Sequence, residues 1–410
     1  MAVSLGRSKS DPAPEAGVRV STGGTGAYFA AIVVTLADGL AMGVMLPLLP
    51  LLAIHFGAPA SQVTWLVAAY ALAAFVGEPL LGWLSDRIGR RRVILVSLAG
   101  SAIAAAGILL SASFVALIAF RTMAGLLAGR ASALRALVTD AAPEADQVRR
   151  LSNLAALTAI GAALGPLFAA AAALGAAGPA EQYRNTMVLA LVLSGLAMAT
   201  FATVAARSTE AARQASAPRR RGALLEVAIR LRRPIAIAVL TSFGYATLLS
   251  VNSILLYYRF GWGLREAGLL LCAMAAIVSV GRMFVLARLV SRFGAYPTLS
   301  GLLIVAAPSL IAAGLAPTAT IYAVSISLFG ATCALATVVP TTIVARQAPA
   351  TDRGYALGLC SGGAAIATAI AAVINGSLFE HLAQFAPHVL GGGALLAALA
   401  LARPPRQVRA

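Results

Sequence analysis

After its first 27 residues, the chain consists of long apolar runs that are separated by short polar loops. Each run is close to the roughly 20 residues of helix that are needed to cross about 30 Å of hydrocarbon. The runs stay apolar throughout and do not alternate over about ten residues, so they predict membrane-spanning helices and not barrel strands. We predict twelve such helices, at residues 28–55, 63–84, 93–110, 114–137, 151–174, 185–206, 234–258, 267–290, 297–316, 319–345, 354–378 and 385–401.

The polar stretches divide the predicted helices into two groups of six. The longest stretch, residues 207–233, contains eight Arg and two Glu, and its part 222–233 is either an amphipathic helix on the membrane surface or a solvated linker. The first 27 residues lack the apolar stretch of a cleavable signal peptide and predict a disordered tail. The predicted parts are a tail (1–27), a six-helix bundle (28–206), a basic linker (207–233), a second six-helix bundle (234–403) and a tail (404–410).

Composition agrees with a bilayer environment. Hydrophobic residues make up 60% of the chain and charged residues 11%, whereas a soluble protein has about 25% charged residues. The formal charge of +17 suggests nucleic acid at first, but the basic residues sort by membrane side: 24 fall on the side of the two termini and three on the other. This asymmetry predicts that both termini are cytoplasmic, and it excludes a nucleic-acid footprint.

Several classes of chemistry lack a sequence signal. Cys272, Cys333 and Cys360 lie in apolar runs without metal-like spacing, so we expect buried thiols and no metal site. The sequence has no His-rich cluster, no nucleophile–base set and no phosphate-binding loop. We therefore expect neither a membrane enzyme nor an ATPase, and no cofactor.

One motif at the end of predicted helix 2 points to a family. Residues 82–91 read Gly-Trp-Leu-Ser-Asp-Arg-Ile-Gly-Arg-Arg, which resembles the loop 2–3 signature of the major facilitator superfamily nearly residue for residue. Together with the six-plus-six layout, the resemblance covers almost the whole chain. It implies an all-α membrane fold in which two pseudo-symmetric six-helix bundles rock about a central cavity.

A second copy of this motif follows predicted helix 8. Residues 287–296 read Ala-Arg-Leu-Val-Ser-Arg-Phe-Gly-Ala-Tyr, as expected of a transporter built from a repeat. The copies share the pairs Leu84/Leu289, Arg87/Arg292 and Gly89/Gly294. The second copy has Ser291 in the position of Asp86, so we expect it to form a weaker gate.

The resemblance implies that the first motif is a gate at the cytoplasmic face. Gly82 and Gly89 allow close helix approach and a tight turn, while Asp86 is free to meet a basic side chain or a helix N-terminus when that face is closed. The expected partners of Asp86 are Arg130 or the start of helix 11 near Gly354; alternatively, the arginines serve only to fix topology. The motif residues assigned to the gate are Gly82, Asp86, Arg87, Gly89, Arg90 and Arg91.

Three further stretches resemble the drug:proton antiporter branch of the superfamily. Residues 38–50 look like its opening helix, and residues 121–129, with Arg121, look like its helix 4 motif. Residues 161–166 are similar to its antiporter signature, from which we assign Gly161, Gly165 and Pro166 to gating. The chain then has Ala169 and Ala170 where that pattern continues with two glycines.

The charges inside the predicted helices are the candidates for coupling. Asp38, Glu78 and Arg121 lie at membrane depth, where each charge costs on the order of 2.5–3.5 kcal/mol. A carboxyl group there is favoured in its neutral form by desolvation and in its ionised form by a nearby cation, which suits a proton carrier. The alternative is a fixed structural ion pair, for instance Asp38 with Arg121. Asn252 is a candidate cavity residue, and Arg282 either neutralises an anionic substrate or extends to the membrane surface.

The leading hypothesis is proton-coupled export of a small amphipathic molecule, such as a drug or a secreted siderophore-like metabolite. The runner-up is a proton-linked or facilitative importer of a small metabolite on the same fold. The expected partners are the substrate, protons and membrane lipids. We expect a monomer in a bacterial inner membrane.

Overall fold

The protein is an all-helical bundle in a computed structural model that describes residues 22–140, 144–205, 229–349 and 353–402. Each of the twelve predicted segments coincides with one helix or with one interrupted helix. Ten are long and apolar enough to cross a membrane, and two shorter apolar helices, Phe114–Leu126 and Ala386–Leu401, lie where segments 4 and 12 were predicted.

Eight of the twelve helices are continuous. They are α1 (Thr22–His55), α3 (Arg90–Leu109), α5 (Glu144–Ala172), α6 (Pro179–Ala205), α7 (Arg232–Phe260), α9 (Ala295–Leu315), α11 (Arg353–His381) and α12 (Ala386–Leu401). The other four are interrupted: α2 (α2a, Ala60–Val63; α2b, Trp65–Ile88), α4 (α4a, Phe114–Leu126; α4b, Arg130–Asp140), α8 (α8a, Leu264–Val280; a π-helical turn, Gly281–Val285; α8b, Leu286–Phe293) and α10 (α10a, Ala319–Ala336; α10b, Val338–Gln347).

Several helices extend beyond their predicted ends. Helix α1 begins at Thr22, inside the predicted tail, α4b ends at Asp140 and not at residue 137, and α5 begins at Glu144 and not at residue 151. Hydropathy marks only the hydrocarbon span, whereas a helix continues through the polar interfacial layers on either side. The rest of the predicted tails and most of the basic linker lie outside the described residues.

The internal repeat is visible in the backbone. Gly89 (φ 97°) joins α2b to α3, and Gly294 (φ 86°) joins α8b to α9. An L side chain rarely adopts such a positive φ, so both copies of the motif need glycine at the same turn. Helices α4 and α10 also break at equivalent places, after Leu126 and after Ala336.

The two bundles share a core at one membrane face only. We call the face where α1 begins and α12 ends the basic face, since it carries Arg90 to Arg92, and the other the opposite face. One large apolar cluster joins the far end of α1, from Val44 to Ala53, with residues of the C-terminal bundle such as Ile254. The part of α1 nearer the basic face, from Ala30 to Ala37, belongs to a separate cluster that contains N-terminal bundle residues alone.

Direct contacts confirm this arrangement. Ala68 of α2b is buried together with Ala369 and Ala372 of α11, in the half of these helices that is nearer the opposite face. A Cβ atom on Gly82 or on Gly358, nearer the basic face of the same two helices, would have no other atom within 4 Å. The bundles therefore touch at the opposite face and separate toward the basic face.

Candidate functional site

The most strongly bonded charges in the described membrane region are Asp38 of α1 and Arg130 of α4b. Arg130 donates from Nε to Asp38 Oδ2 (2.6 Å) and from Nη2 to Asp38 Oδ1 (2.5 Å). The side chains of Arg130 and Asp38 are 15% and 24% exposed. Two parallel charge-assisted bonds of this kind fix both the distance and the orientation of the pair.

A third side chain completes the group. Arg130 Nη1 donates to Ser101 Oγ of α3 at 2.7 Å and to the Leu127 carbonyl oxygen at 3.3 Å. The arginine therefore connects α1, α3 and the break in α4. Nothing in the sequence singles out Ser101 as a partner, because a lone serine in an apolar run is common.

The break in α4 and its length place Arg130 at the depth of Asp38. Arg130 lies ten residues before Asp140, the end of α4b, and Asp38 lies ten residues after Tyr28, where its apolar span begins. At 1.5 Å per residue both are about 15 Å from the basic face. Glu78 also lies ten residues before the end of its helix, at Ile88, so three ionisable residues share one level.

This geometry changes one pairing that the sequence suggested. Arg121 was named as an example of a fixed ion-pair partner of Asp38, and Arg130 was offered as a partner of Asp86 when the basic face is closed. The structure pairs Asp38 with Arg130. Helix α4b ends at Asp140 and not at the predicted residue 137, so Arg130 lies farther from the end of its helix, and deeper in the membrane, than predicted. The Asp86 side chain and Gly354 lie outside the described residues, so the predicted gating contact of Asp86 stays a prediction.

Arg121 has an aromatic partner. Its guanidinium carbon lies 4.1 Å from the centroid of the Tyr70 ring of α2b, which is a cation–π distance. The neighbouring helices approach closely there, since a Cβ on Gly125 would lie 2.6 Å from the Tyr70 carbonyl oxygen. Arg121 Nε is buried and has no hydrogen-bond partner among the described residues. Sequence reasoning missed Tyr70, whose position two turns before Glu78 was the only available signal.

Glu78 is exposed, and within the described residues it has no hydrogen bond or ion pair. It lies where α2b meets α4b, because a Cβ on Gly129 would be 3.0 Å from the Glu78 Cα. A carboxylate at this level, on the helix beside α4, is available to a proton or to a cationic group.

The antiporter-like glycines hold α5 against α1. A Cβ on Gly161 would lie 2.6 Å from the Leu36 carbonyl oxygen, and one on Gly165 would lie 2.5 Å from the Leu40 carbonyl oxygen. On α1, a Cβ on Gly43 would lie 3.0 Å from Cδ of Pro166. These contacts span Asp38, so α5 fixes the helix that carries the carboxylate.

The loop 2–3 motif forms the turn at the basic face. The Arg87 guanidinium stacks on the Trp83 ring at 4.0 Å, and Gly89 makes the turn into α3. Arg90 and Arg91 begin α3, and Gly82 faces open space on α2b. At Gly82, therefore, α2b has no close neighbour from another helix, and the gating role of the motif stays a prediction.

Two C-terminal candidates have structural roles. Asn252 is 2% exposed and accepts a hydrogen bond from the Tyr322 hydroxyl at 2.9 Å, so in the described conformation it lies in the core and lines no cavity, and its role as a cavity residue stays a prediction. Hydropathy cannot tell a buried polar residue from a cavity-lining one. Arg282 lies in the π-helical turn of α8 and donates to the Ala334 carbonyl oxygen at 3.0 Å, near the break in α10. Among the described residues no group of three His, Cys, Asp or Glu is placed to hold a metal ion.

Known proteins share this architecture. A tetracycline resistance protein of class C from Escherichia coli is 28% identical over 265 residues, which are 63% of this chain and 65% of that protein. The class B protein of the same species is 26% identical over 275 residues, 64% of this chain and 66% of that protein. The matched stretch is thus slightly less than two thirds of either relative. The crystal structure of a D-xylose–proton symporter superposes with a TM-score of 0.74 at 16% identity, covering 92% of this chain and 97% of that one.

The family itself is shown by a wider match. The family model described as Major Facilitator Superfamily matches residues 31–300 and 235–410, which together cover most of the chain. The repeated loop motif agrees with this match, as do the apolar helices of the described residues, ten of which are long enough to cross a membrane. This multi-pass membrane protein therefore belongs to the major facilitator superfamily of transporters.

Proposed function

We propose that the protein is a proton-coupled exporter of a small amphipathic molecule, and that Asp38 carries the proton. The observation that supports this most is the bidentate Asp38–Arg130 pair, which lies at membrane depth in a molecule that is open toward the basic face. A charge in the membrane is costly, so an ionisable pair there is a functional candidate by default.

The cycle follows from the two protonation states of Asp38. When Asp38 is ionised, it holds Arg130 through two bonds, as in the described conformation. A proton that reaches Asp38 from the opposite face removes the charge and weakens this pair, so Arg130 is left to Ser101 and the Leu127 carbonyl. Return of the protein to the basic-face-open state lets the proton leave and the pair re-form. Substrate and proton then alternate because both need the same region of the N-terminal bundle.

The proposal takes the basic face as cytoplasmic, as the distribution of arginine predicts. The described conformation is then inward-facing. It is ready to take up substrate from the cytoplasm, and it accepts a proton from outside only after it has opened toward the opposite face. A monomer in a bacterial inner membrane, driven by the proton gradient and without a cofactor, fits this scheme.

The composition of the helices and the relatives support the proposed substrate class. The helices are rich in Ala and Gly, and 60% of the chain is hydrophobic, which suits an apolar or lightly charged solute. The two related proteins named above are tetracycline resistance proteins. The runner-up, a proton-linked or facilitative importer, is kept because a D-xylose–proton symporter has a similar fold.

The test is transport by purified protein in liposomes with an imposed pH gradient. Tetracycline and other amphipathic compounds should move against the direction of proton flow, and a protonophore should abolish the movement. Asp38→Asn should lose gradient-driven transport, while Asp146→Asn, which removes the surface pair with Arg149, should retain it. Gradient-driven uptake of a metabolite in the same direction as protons would favour the importer. If no compound responds to the gradient, both the proton-coupled exporter and the proton-linked importer are contradicted, and gradient-independent uptake of a metabolite would favour the facilitative importer.

A further inference from the structure

One hydrogen bond crosses between the two bundles at the opposite face. The backbone N–H of Ser61, in α2a, donates to Glu380 Oε2 of α11 at 2.8 Å. Helices α2 and α11 are antiparallel neighbours. At this face α2 begins at Ala60, and α11 ends at His381, one residue after Glu380. The bond therefore joins the first turn of one bundle's helix to the last turn of a helix in the other.

The Ser61 N–H needs a partner from elsewhere. The first amides of a helix have no acceptor within it, and a side chain at the N-cap position usually supplies one. Here the N-cap residue is Pro59, whose ring has no acceptor and makes no capping bond. The Gln62 and Val63 amides bond to the Pro59 carbonyl oxygen, whereas the Ser61 amide bonds to the Glu380 carboxylate.

The packing beneath the bond brings the two ends together. Gly376 lies one turn before Glu380, and a Cβ there would be 2.8 Å from the Ser61 carbonyl oxygen and would collide with Thr64 Oγ1. The next contacts along the pair are the small side chains of Ala68, Ala369 and Ala372. The same two helices have no such contact toward the basic face, where a Cβ on Gly82 or on Gly358 would meet nothing within 4 Å.

At the basic face the two helices exchange these positions. There α2b ends two residues after Asp86, and α11 begins at Arg353. At each face, then, one helix of the pair ends in a carboxylate where the other begins.

We propose that Glu380 is a gating residue whose bond to the Ser61 amide stabilises the state closed at the opposite face, in alternation with Asp86 at the basic face. When the bundles rock, the Glu380–Ser61 bond breaks as the Asp86 contact with the start of α11 forms. The balance between these two bonds contributes to the populations of the two states. This inference uses the alternating movement of the proposed transporter but not its substrate or its proton coupling.

The test measures the two faces directly in lipid nanodiscs, without substrate. Spin labels on Leu110 and Leu382 report the opposite face, and labels on Arg92 and Arg292 report the basic face, with the native cysteines replaced by alanine. A hydrogen bond to a charged group is stronger than a neutral one, but Glu380 is exposed and solvent screens its charge, so Glu380→Ala should lower the ratio of basic-face-open to opposite-face-open molecules by about two- to fivefold. Glu380→Gln, which keeps an acceptor without the charge, should give a smaller shift in the same direction.

A matched control is available at the same face. Glu181 accepts a bond from the Ala177 amide at 2.8 Å, but both residues belong to the N-terminal bundle. Glu181→Ala should leave the distance distributions unchanged, Asp86→Asn should shift them oppositely to Glu380→Ala, and the double variant Glu380→Ala/Asp86→Asn should return toward the wild type. Distributions that do not respond to Glu380→Ala, or that respond equally to Glu181→Ala, would overturn the proposal. A shift in populations without proton-driven transport would instead contradict the proposed function alone.

Discussion

The two bundles share a helical plan but differ in their polar groups at membrane depth. At one level of the N-terminal bundle lie Asp38, Glu78 and Arg130, all ionisable. The buried polar residues of the C-terminal bundle pair without a carboxylate, as in the Tyr322–Asn252 bond and in the bonds from the Asn375 amide to Thr247 and Ser250. Among the described residues, the carboxylates at membrane depth therefore belong to the N-terminal half.

The breaks in α4 and α10 show the same difference between the two bundles. At each break an arginine donates to a main-chain carbonyl of the broken helix: Arg130 to Leu127 and Arg282 to Ala334. Each of these carbonyls also accepts a hydroxyl, that of Ser97 at Leu127 and that of Thr337 at Ala334, so the breaks are hydrogen-bonded by side chains in both halves. Arg130 also binds a carboxylate, whereas Arg282 has no carboxylate partner among the described residues. An arginine therefore bonds to the broken helix in both halves, but it forms an ion pair in the N-terminal half only.

The largest expected effect comes from removing each arginine in turn. Arg130→Ala leaves the Asp38 carboxylate buried without its cation, so the free energy of unfolding should fall by about 3–5 kcal/mol. Arg282→Ala removes one hydrogen bond to a carbonyl and should cost about 1 kcal/mol. Reversible unfolding in mixed micelles measures both. Replacing the pair together, as Asp38→Asn with Arg130→Gln, should recover much of the loss, and equal costs for the two single variants would contradict the comparison.

A smaller effect concerns the equivalent helix pairs α1–α5 and α7–α11. A Cβ on Gly161 of α5 meets the α1 backbone, at 2.6 Å from the Leu36 carbonyl oxygen, whereas one on Gly363 of α11 meets the Val239 side chain at 3.0 Å. A backbone cannot move aside as a side chain does, so Gly161→Ala should destabilise by about 1–3 kcal/mol. Gly363→Ala should change stability by less than about 0.5 kcal/mol. The same unfolding assay decides, and a costlier Gly363→Ala would reverse the expected order.

The smallest effect tests the neutral half. Tyr322→Phe removes the donor to Asn252 and should cost about 1 kcal/mol, as is typical of hydrogen bonds between membrane helices. Because this bond lies in the core of the C-terminal bundle, the pH dependence of transport should not change. A shifted pH profile in Tyr322→Phe would show that coupling extends into the second half.

The sequence predicts the helices and the repeat well, because apolar length and the glycine turns at Gly89 and Gly294 are local properties. It identifies Asp38 as a membrane-depth carboxylate for the same reason. The partner of Asp38 could not be predicted, since it depends on how far α4b continues beyond its apolar run and on the break before Arg130. Likewise, the burial of Asn252 against Tyr322 and the Glu380–Ser61 bond arise from helix packing, which hydropathy does not encode.

The central claim is that substrate and proton compete through Asp38 in the N-terminal bundle. The most direct measurement is the binding affinity of the compound identified in the liposome assay, determined as a function of pH for the wild type, Asp38→Asn and the surface control Asp146→Asn. For the wild type and the control, affinity should weaken as the pH falls, approaching about tenfold per pH unit if one proton competes with the substrate. The affinity of Asp38→Asn should be independent of pH over the same range. An Asp38→Asn variant that keeps the wild-type slope would contradict the claim and assign the proton to another group, with Glu78 the next residue to replace.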